Sequence, residues 1–234
     1  MELQKIMQMP EVKIALDHVF TGFMNYEKKT KLKRFKHLNK CSKKGQILFA
    51  GSSLMEQFPI NELQQTLDKN YVIYNRGVSG YVTTELLDSM EECIFELEPA
   101  KIFINIGTND ISAEDYTKEK LITNYDRILT LIKERLPQCK VYVMAYYPVN
   151  PVANFPGVDK EQKEMMFKYR TNGAILEANE AVEALAKKHN YEFINVNEGL
   201  TDAEGNLKEE FAIEGLHMWP NAYEVILQNM KQYL

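Results

Sequence analysis

The most informative part of the chain is Gln46-Ile-Leu-Phe-Ala-Gly-Ser-Ser-Leu-Met55, where an apolar run stops at a glycine and two serines follow. Such a run is typical of a buried parallel strand, here predicted over 46–50. In open α/β sheets, ligands bind outside the carboxyl ends of the strands. A serine in this place is more often only the N-cap of the next helix. Its interpretation depends on whether other strand ends supply partners for the hydroxyl group.

The strand pattern recurs along the chain and alternates with helical periodicity. Further strands are predicted at 71–75, 101–106, 140–147 and 191–196. Helices are predicted at 11–27, 30–40, 60–68, 82–97, 117–135, 160–188 and 221–233. Strands that are apolar on both faces and alternate with helices indicate a parallel sheet covered on both sides. We therefore predict an α/β fold with three layers, α/β/α, around a five-stranded parallel sheet of the flavodoxin-like, doubly wound type.

No linker, repeat or low-complexity tract divides the 234 residues, so we predict a single domain with a helical N-terminal extension, 1–44, and a core over 45–234. The segment 28–44 carries nine Lys/Arg residues and no acid, although the chain has a net charge of −5. Such a segment could bind nucleic acid, or it could be a solvated helix face that balances an acidic body. The acidic remainder favours the second interpretation, and we expect no nucleic-acid partner. Leu32, Phe35 and Leu38 form the apolar stripe predicted to dock this helix.

The cysteines Cys41, Cys93 and Cys139 are odd in number and scattered. Neither a disulfide framework nor a metal-binding spacing is visible, which suits a reducing compartment. Charge interrupts the first ten residues, and no stretch of the sequence is long and apolar enough to span a membrane. We expect a soluble, cytoplasmic protein without a membrane partner, and a homo-oligomer is left open.

Polar or glycine residues of complementary chemistry follow the predicted strands. They are Ser52 and Ser53, Gly80, Asn109, and Glu214 with His217. A parallel sheet brings such residues to one edge, and acyl transfer needs a nucleophile, a base, a group that orients the base, and donors for the oxyanion. Taken singly, Asn109 is more typical of a turn, His217 of a structural histidine and Glu214 of a surface carboxylate. Their joint order along the chain is what favours a catalytic site.

Four ordered blocks carry a resemblance to a known family. They are Phe49-Ala-Gly51-Ser52-Ser53, Asn75-Arg76-Gly77-Val78-Ser79-Gly80, Gly107-Thr108-Asn109-Asp110 and Glu214-Gly215-Leu216-His217. On these blocks, residues 45–233 resemble the SGNH (GDSL) hydrolases, in the branch of small esterases similar to platelet-activating-factor acetylhydrolase subunits. The helical extension lies outside the resemblance.

The resemblance implies a role for each residue of the site. Ser53 would be the nucleophile, His217 the base and Glu214 the carboxylate that orients it. The oxyanion would be held by the backbone N–H groups of Ser53 and Gly80 and by the side-chain amide of Asn109. No metal or organic cofactor is needed for this chemistry.

Two residues depart from the family pattern. Ser52 stands where relatives carry an aspartate. Its hydroxyl can still accept or donate a hydrogen bond, so we expect local retuning of the site and not inactivity. Glu214 stands where relatives carry the aspartate of the triad. The carboxylate must reach Nδ1 of His217 to fix its tautomer, and glutamate has the required charge with one extra methylene. We expect it to orient the histidine.

The predicted function is that of a serine esterase or deacylase that hydrolyses short-acyl esters, with acetyl groups on carbohydrates as one substrate class. The partner is then a small-molecule ester. Tyr146 and Trp219, together with Tyr147 and Met218, are predicted to rim the pocket, although the only tryptophan could equally pack in the core. Two alternatives stay open. One is an acyltransferase that uses the same acyl-enzyme, and the other is a non-catalytic member of the fold that binds a ligand.

Overall fold

The structure is a computed structural model that describes residue 6 and residues 9–234. In this part of the chain the sheet has five parallel strands in the order β2-β1-β3-β4-β5. The strands are β1 (Ile47–Gly51), β2 (Ile73–Gly77), β3 (Lys101–Asn105), β4 (Lys140–Met144) and β5 (Glu192–Ile194). This order is that of a flavodoxin-like doubly wound sheet, so the predicted fold class is confirmed.

Helices cover both faces of the sheet. They are α1 (Pro10–Asn39), α2 (Ser53–Glu56), α3 (Ile60–Leu63), α4 (Thr83–Asp88), α5 (Met90–Cys93), α6 (Thr108–Ile111), α7 (Lys118–Arg135), α8 (Lys160–Met166), α9 (Asn172–His189) and α10 (Pro220–Met230). Short 3₁₀ turns lie at Gln64–Thr66, Phe95–Leu97, Glu209–Phe211 and Lys231–Tyr233. None of the helices within the described residues combines the length and the apolar character that crossing a membrane requires.

Two apolar clusters, one on each face of the sheet, form the core. Along β1, Leu48 and Ala50 belong to one cluster and Phe49 to the other, and all three are fully buried. Successive side chains of a strand point to opposite faces, so burial of both sets requires helices on both sides. This arrangement explains why the strands read as continuous apolar runs.

Four predicted helices differ from those observed. Residues 11–27 and 30–40 form one continuous helix, α1, because 28–30 contains no residue that breaks a helix. The predicted helix 82–97 is broken at Ser89, whose hydroxyl donates to the Glu85 carbonyl at 2.7 Å. The predicted helix 160–188 is interrupted at 167–171, where the Thr171 side chain caps α9 by accepting from Ala174 N at 3.1 Å.

The helix α1 has two parts with different surroundings. In its first half, Val19, Phe20 and Phe23 are 70%, 66% and 58% exposed. In its second half, Phe35 and Asn39 are buried against the body of the protein. The prediction that Leu38 helps to dock this helix is wrong: its side chain is exposed, and the buried position of the last turn is taken by Asn39.

The strand register places the ends of the first three strands at one level. Gly51 at the end of β1 pairs with Gly77 on β2 and with Asn105 on β3. A Cβ atom on Gly51 would lie 2.1 Å from the Asn105 carbonyl oxygen, so only glycine fits between these backbones. The segments that follow the three strands therefore begin side by side at the same edge.

Candidate active site

Ser53, His217 and Glu214 form a connected chain of side chains at the carboxyl edge of the sheet. Nε2 of His217 lies 2.9 Å from Oγ of Ser53, 164 residues away in the sequence. On the other side of the ring, Nδ1 hydrogen-bonds to Oε1 of Glu214. This is the arrangement that lets a histidine take a proton from a serine while a carboxylate fixes its tautomer.

The loop that carries Glu214 and His217 is held by backbone hydrogen bonds, one within the loop and one from Asn150. Ile213 N donates to the His217 carbonyl at 2.9 Å, and Asn150 N donates to the Gly215 carbonyl at 2.9 Å. The Glu214 carboxylate also accepts the backbone N–H of His217 at 3.2 Å. One carboxylate thus bonds to both the ring and the backbone of the histidine.

Glu214 is ionised more readily than an ordinary glutamate. Burial alone opposes its charge, but the hydrogen bonds and the charge of His217 outweigh burial and lower the pKa of Glu214. Nearby, the side chain of Arg170 is buried, and burial lowers its pKa to about 10 while the charge of Glu214 opposes that shift. The sequence offers no signal for Arg170, which lies in the turn between α8 and α9.

The three predicted oxyanion donors face the same edge. Among the described residues, the backbone N–H groups of Ser53 and Gly80 donate to no acceptor. The side-chain amide of Asn109 donates one hydrogen bond to the Tyr81 carbonyl at 2.9 Å. An amide nitrogen carries two hydrogens, so one remains for a substrate. The bond to Tyr81 also ties Asn109, at the end of β3, to the segment that follows β2.

A second contact ties these segments together and was not predicted. Asp110 accepts from the backbone N–H of Thr83 at 3.0 and 3.2 Å, and from its hydroxyl at 2.5 Å. Burial raises the pKa of Asp110, and the bonds from Thr83 oppose that shift. The fourth residue of the block Gly107–Asp110 thus fixes the start of α4. The block itself was the only signal for it in the sequence.

Ser52 is the first departure from the family pattern. It is fully buried, and its hydroxyl has no hydrogen-bond partner among the described residues. The expectation that this change retunes the site without inactivating it stays a prediction. Its Oγ lies within the packed strand end, whereas Oγ of Ser53 lies against the histidine.

Tyr146 does not lie at the rim of the site, so the prediction made for it is wrong. Its side chain is 1% exposed, and its hydroxyl donates to the Ile106 carbonyl at 2.8 Å, behind the loop that carries Asn109. Tyr147 and Met218 are also buried. Trp219, by contrast, is 49% exposed and begins the last helix two residues after His217, so it is not part of the core.

A cavity of about 320 Å³ lies beside the predicted oxyanion segment, between it and α1. Its lining includes Met24, Lys28, Lys31, Glu56, Val78 and Ser79. Within the described part of the chain, no group of three or more His, Cys, Asp or Glu side chains could hold a metal ion. The expectation that no cofactor is needed stays a prediction.

The fold and these side chains define a class, the ester-bond hydrolases that carry a serine at the end of the first strand. Residues 49–225 match the model of the GDSL-like Lipase/Acylhydrolase family. The chain belongs to this family, and the resemblance inferred from the four sequence blocks is confirmed.

The chain is also similar to individual proteins and to a solved structure. The chain is 23% identical to platelet-activating factor acetylhydrolase IB subunit alpha1 of Pongo abelii, over 82% of this chain and 76% of that protein. It is 23% identical to the N-acylneuraminate cytidylyltransferase of Escherichia coli O18:K1:H7 (strain RS218 / NMEC), over 77% of this chain but only 38% of that protein. A solved structure from Streptococcus pneumonia, provisionally described as a platelet activating factor, has a TM-score of 0.82 and 29% identity, and the match covers 94% of this chain and 98% of that one.

Proposed function

We propose that the chain is a serine esterase that removes short acyl groups through an acyl-enzyme on Ser53. One observation carries the proposal, the chain of side chains Ser53, His217 and Glu214. The serine Oγ lies 2.9 Å from the nitrogen that would take its proton. The opposite nitrogen of the same ring is bonded to a carboxylate with a lowered pKa.

In the first half of the reaction, Ser53 Oγ attacks the ester carbonyl carbon and His217 takes the hydroxyl proton. The carbonyl oxygen becomes an oxyanion, which the N–H groups of Ser53 and Gly80 and the amide of Asn109 would bind. When the tetrahedral intermediate collapses, the bond to the alcohol oxygen breaks. The alcohol leaves with the proton that His217 returns to it.

In the second half, water attacks the acyl carbon while His217 takes a proton from that water. A second tetrahedral intermediate breaks its bond to Ser53 Oγ, and the proton returns to the serine. The acyl group leaves as a carboxylic acid. Glu214 stays ionised throughout and stabilises the charged imidazolium that forms in each half.

We infer that the acyl group is short and that the alcohol is polar. The cavity beside the oxyanion segment is lined by several charged side chains, which suit a hydrated alcohol such as a sugar better than a long alkyl chain. Acetyl release is also what the printed name of the relative from Pongo abelii describes for that protein. Acetylated carbohydrates are therefore the first substrates to try.

The test compares Ser53→Ala with Ser52→Ala. This matched control removes the neighbouring hydroxyl, which has no hydrogen-bond partner in the part of the chain that the structure describes. We expect a fluorophosphonate to label the wild type and Ser52→Ala but not Ser53→Ala. A panel of p-nitrophenyl esters from acetyl to octanoyl, together with acetylated sugars, should show the highest kcat/KM for acetyl. Removing a catalytic serine typically costs roughly 10⁶ in kcat.

Two results would contradict the proposal. Hydrolysis and labelling that survive in Ser53→Ala would exclude Ser53 as the nucleophile. A preference for octanoyl over acetyl esters would exclude the short-acyl assignment but not the mechanism. Adding alcohols to the same assay measures how the acyl group partitions between water and a sugar hydroxyl, which separates an esterase from an acyltransferase.

A further inference from the structure

The helix α1 lies outside the sequence blocks of the family, yet it contacts the segment between β2 and α4 that carries Gly80. Nζ of Lys28 donates to the Gly80 carbonyl at 3.1 Å and to the Glu85 carboxylate at 2.7 and 2.9 Å. Glu85 in turn accepts the backbone N–H of Val82 at 3.1 Å. One lysine therefore fixes the peptide on the carboxyl side of Gly80 and also the carboxylate that holds the next turn.

A second lysine of α1 makes the corresponding contact on the other side of Gly80. Lys31 forms an ion pair with Glu56, which lies one turn after Ser53 on α2. The Glu56 carboxylate accepts the backbone N–H of Ser79 at 2.5 Å. The two ion pairs thus lie on either side of Gly80, and each glutamate bonds both a lysine of α1 and a backbone N–H of the same segment.

Gly80 has no side chain to restrict its backbone, so its conformation depends on contacts such as those that Lys28 and Glu56 make with this segment. Its φ is +73°, in the left-handed region that favours glycine. A Cβ atom here would lie 3.3 Å from Lys28 Cε and 3.6 Å from Met24 Cε, so α1 forms the wall against which Gly80 rests. The side chains of Lys28 and Lys31 are only 17% and 28% exposed, and charge-assisted bonds shielded in this way are firmer than those at the open surface.

We propose that Lys28 and Lys31 are positioning residues, which keep the Gly80 N–H pointing toward the position of the substrate oxyanion. The inference rests on the proposed function, in which Gly80 is an oxyanion donor. The helix α1 would then affect the reaction rate, because donors that are already oriented stabilise the transition state without reorganising.

The test compares Lys28→Met, Lys31→Met and the double variant with Lys33→Met, an exposed lysine on the same helix that forms no ion pair among the described residues. Each is assayed with p-nitrophenyl acetate and with its thionoester, in which sulfur replaces the carbonyl oxygen and accepts hydrogen bonds poorly. Active sites are counted by fluorophosphonate titration. For Lys28→Met we expect kcat on the oxo ester to fall roughly 10-fold, less than the 10²–10³ for complete loss of a donor.

The ratio of oxo to thiono turnover distinguishes positioning from a general loss of structure. A variant that only lowers the amount of folded enzyme changes neither this ratio nor kcat per titrated site. We expect the ratio to fall in Lys28→Met and Lys31→Met, to stay at the wild-type value in Lys33→Met, and to be restored in Lys28→Arg. If Lys28→Met folds poorly, Lys31→Met against Lys33→Met still carries the comparison.

Two outcomes overturn the inference, and they are distinguishable. If the ratio falls in Asn109→Ala but not in Lys28→Met or Lys31→Met, α1 does not position the donors and the proposed function stands. If the ratio is unchanged in Asn109→Ala as well, the assignment of the oxyanion donors is wrong. Failure of Ser53 to react with the fluorophosphonate would instead reject the proposed function itself.

Discussion

Ser53 lies between an acid–base side, formed by Glu214 and His217, and an oxyanion side, formed by the segments that carry Gly80 and Asn109. The two sides are built in different ways. On the acid–base side, Glu214 and His217 are three residues apart, and one loop holds both. On the oxyanion side, Gly80 contacts Lys28, which is 52 residues earlier in the chain. The two residues of the acid–base side are thus neighbours in sequence, although Asn150 N also donates to the Gly215 carbonyl of their loop. The oxyanion side is instead assembled from several distant segments.

The difference extends to electrostatics. The carboxylate of the acid–base side, Glu214, has a lowered pKa because burial, which opposes its charge, is outweighed by the hydrogen bonds and the electrostatic interaction with His217. The buried carboxylate of the oxyanion side, Asp110, has a raised pKa, because burial outweighs the donors it receives from Thr83. The surroundings of Glu214 therefore stabilise its ionised form, whereas the surroundings of Asp110 destabilise its ionised form.

The largest effect is expected on the acid–base side. In Glu214→Gln the amide can no longer stabilise the imidazolium or fix the tautomer, and an equivalent change in a serine protease triad lowers kcat by about 10⁴. We expect a loss of that order for p-nitrophenyl acetate with little change in KM. Glu209→Gln, an exposed change a few residues earlier in the chain, serves as the control. A loss of less than about tenfold would show that the histidine does not depend on Glu214.

A smaller effect is expected on the oxyanion side. Asn109→Ala removes one proposed donor and should lower kcat by roughly 10²–10³. Its matched control is Asn124→Ala, because Asn124 donates to the Thr83 hydroxyl at 3.0 Å and Asn109 to the Tyr81 carbonyl at 2.9 Å. The two variants lose hydrogen bonds to the same segment. Equal losses of kcat in both would mean that Asn109 matters only for the fold of that segment.

The same contrast explains what the sequence could predict. The joint order of the four blocks along the chain predicted the acid–base side, because Glu214 and His217 taken singly are more typical of a surface carboxylate and a structural histidine. The apolar run that stops at Gly51 correctly predicted the strand β1. The role of Ser53 as nucleophile stays a prediction.

The supports of the oxyanion side were not predictable because they depend on tertiary distance. Nothing in the segment around Lys28 indicates that its ammonium group meets the Gly80 carbonyl, and a dense run of lysines is more often a solvated face. Tyr146 shows the same limit. An aromatic residue after a strand fits either a pocket or the core. Tyr146 lies in the core because it is buried and its hydroxyl donates to the Ile106 carbonyl, 40 residues away.

The smallest effect is on stability, and it should have opposite signs on the two sides. Because the folded pKa of Glu214 lies below its unfolded value of about 4.3, Glu214 stabilises the protein above that pH, and this contribution is lost as the pH falls through the folded pKa. Because the folded pKa of Asp110 lies above its unfolded value of about 3.9, its favourable contribution is present below that pH and is lost as the pH rises through the folded pKa.

Urea unfolding of the wild type, Glu214→Gln and Asp110→Asn between about pH 3.5 and 6 measures both contributions. As the pH falls, the stability of the wild type relative to Glu214→Gln should decrease, and its stability relative to Asp110→Asn should increase. Each slope is limited to about 1.4 kcal/mol per pH unit, since one group titrates in each comparison. Slopes of the same sign would contradict the electrostatic contrast. They would mean that the two carboxylates experience similar environments despite the different ways in which their donors are supplied.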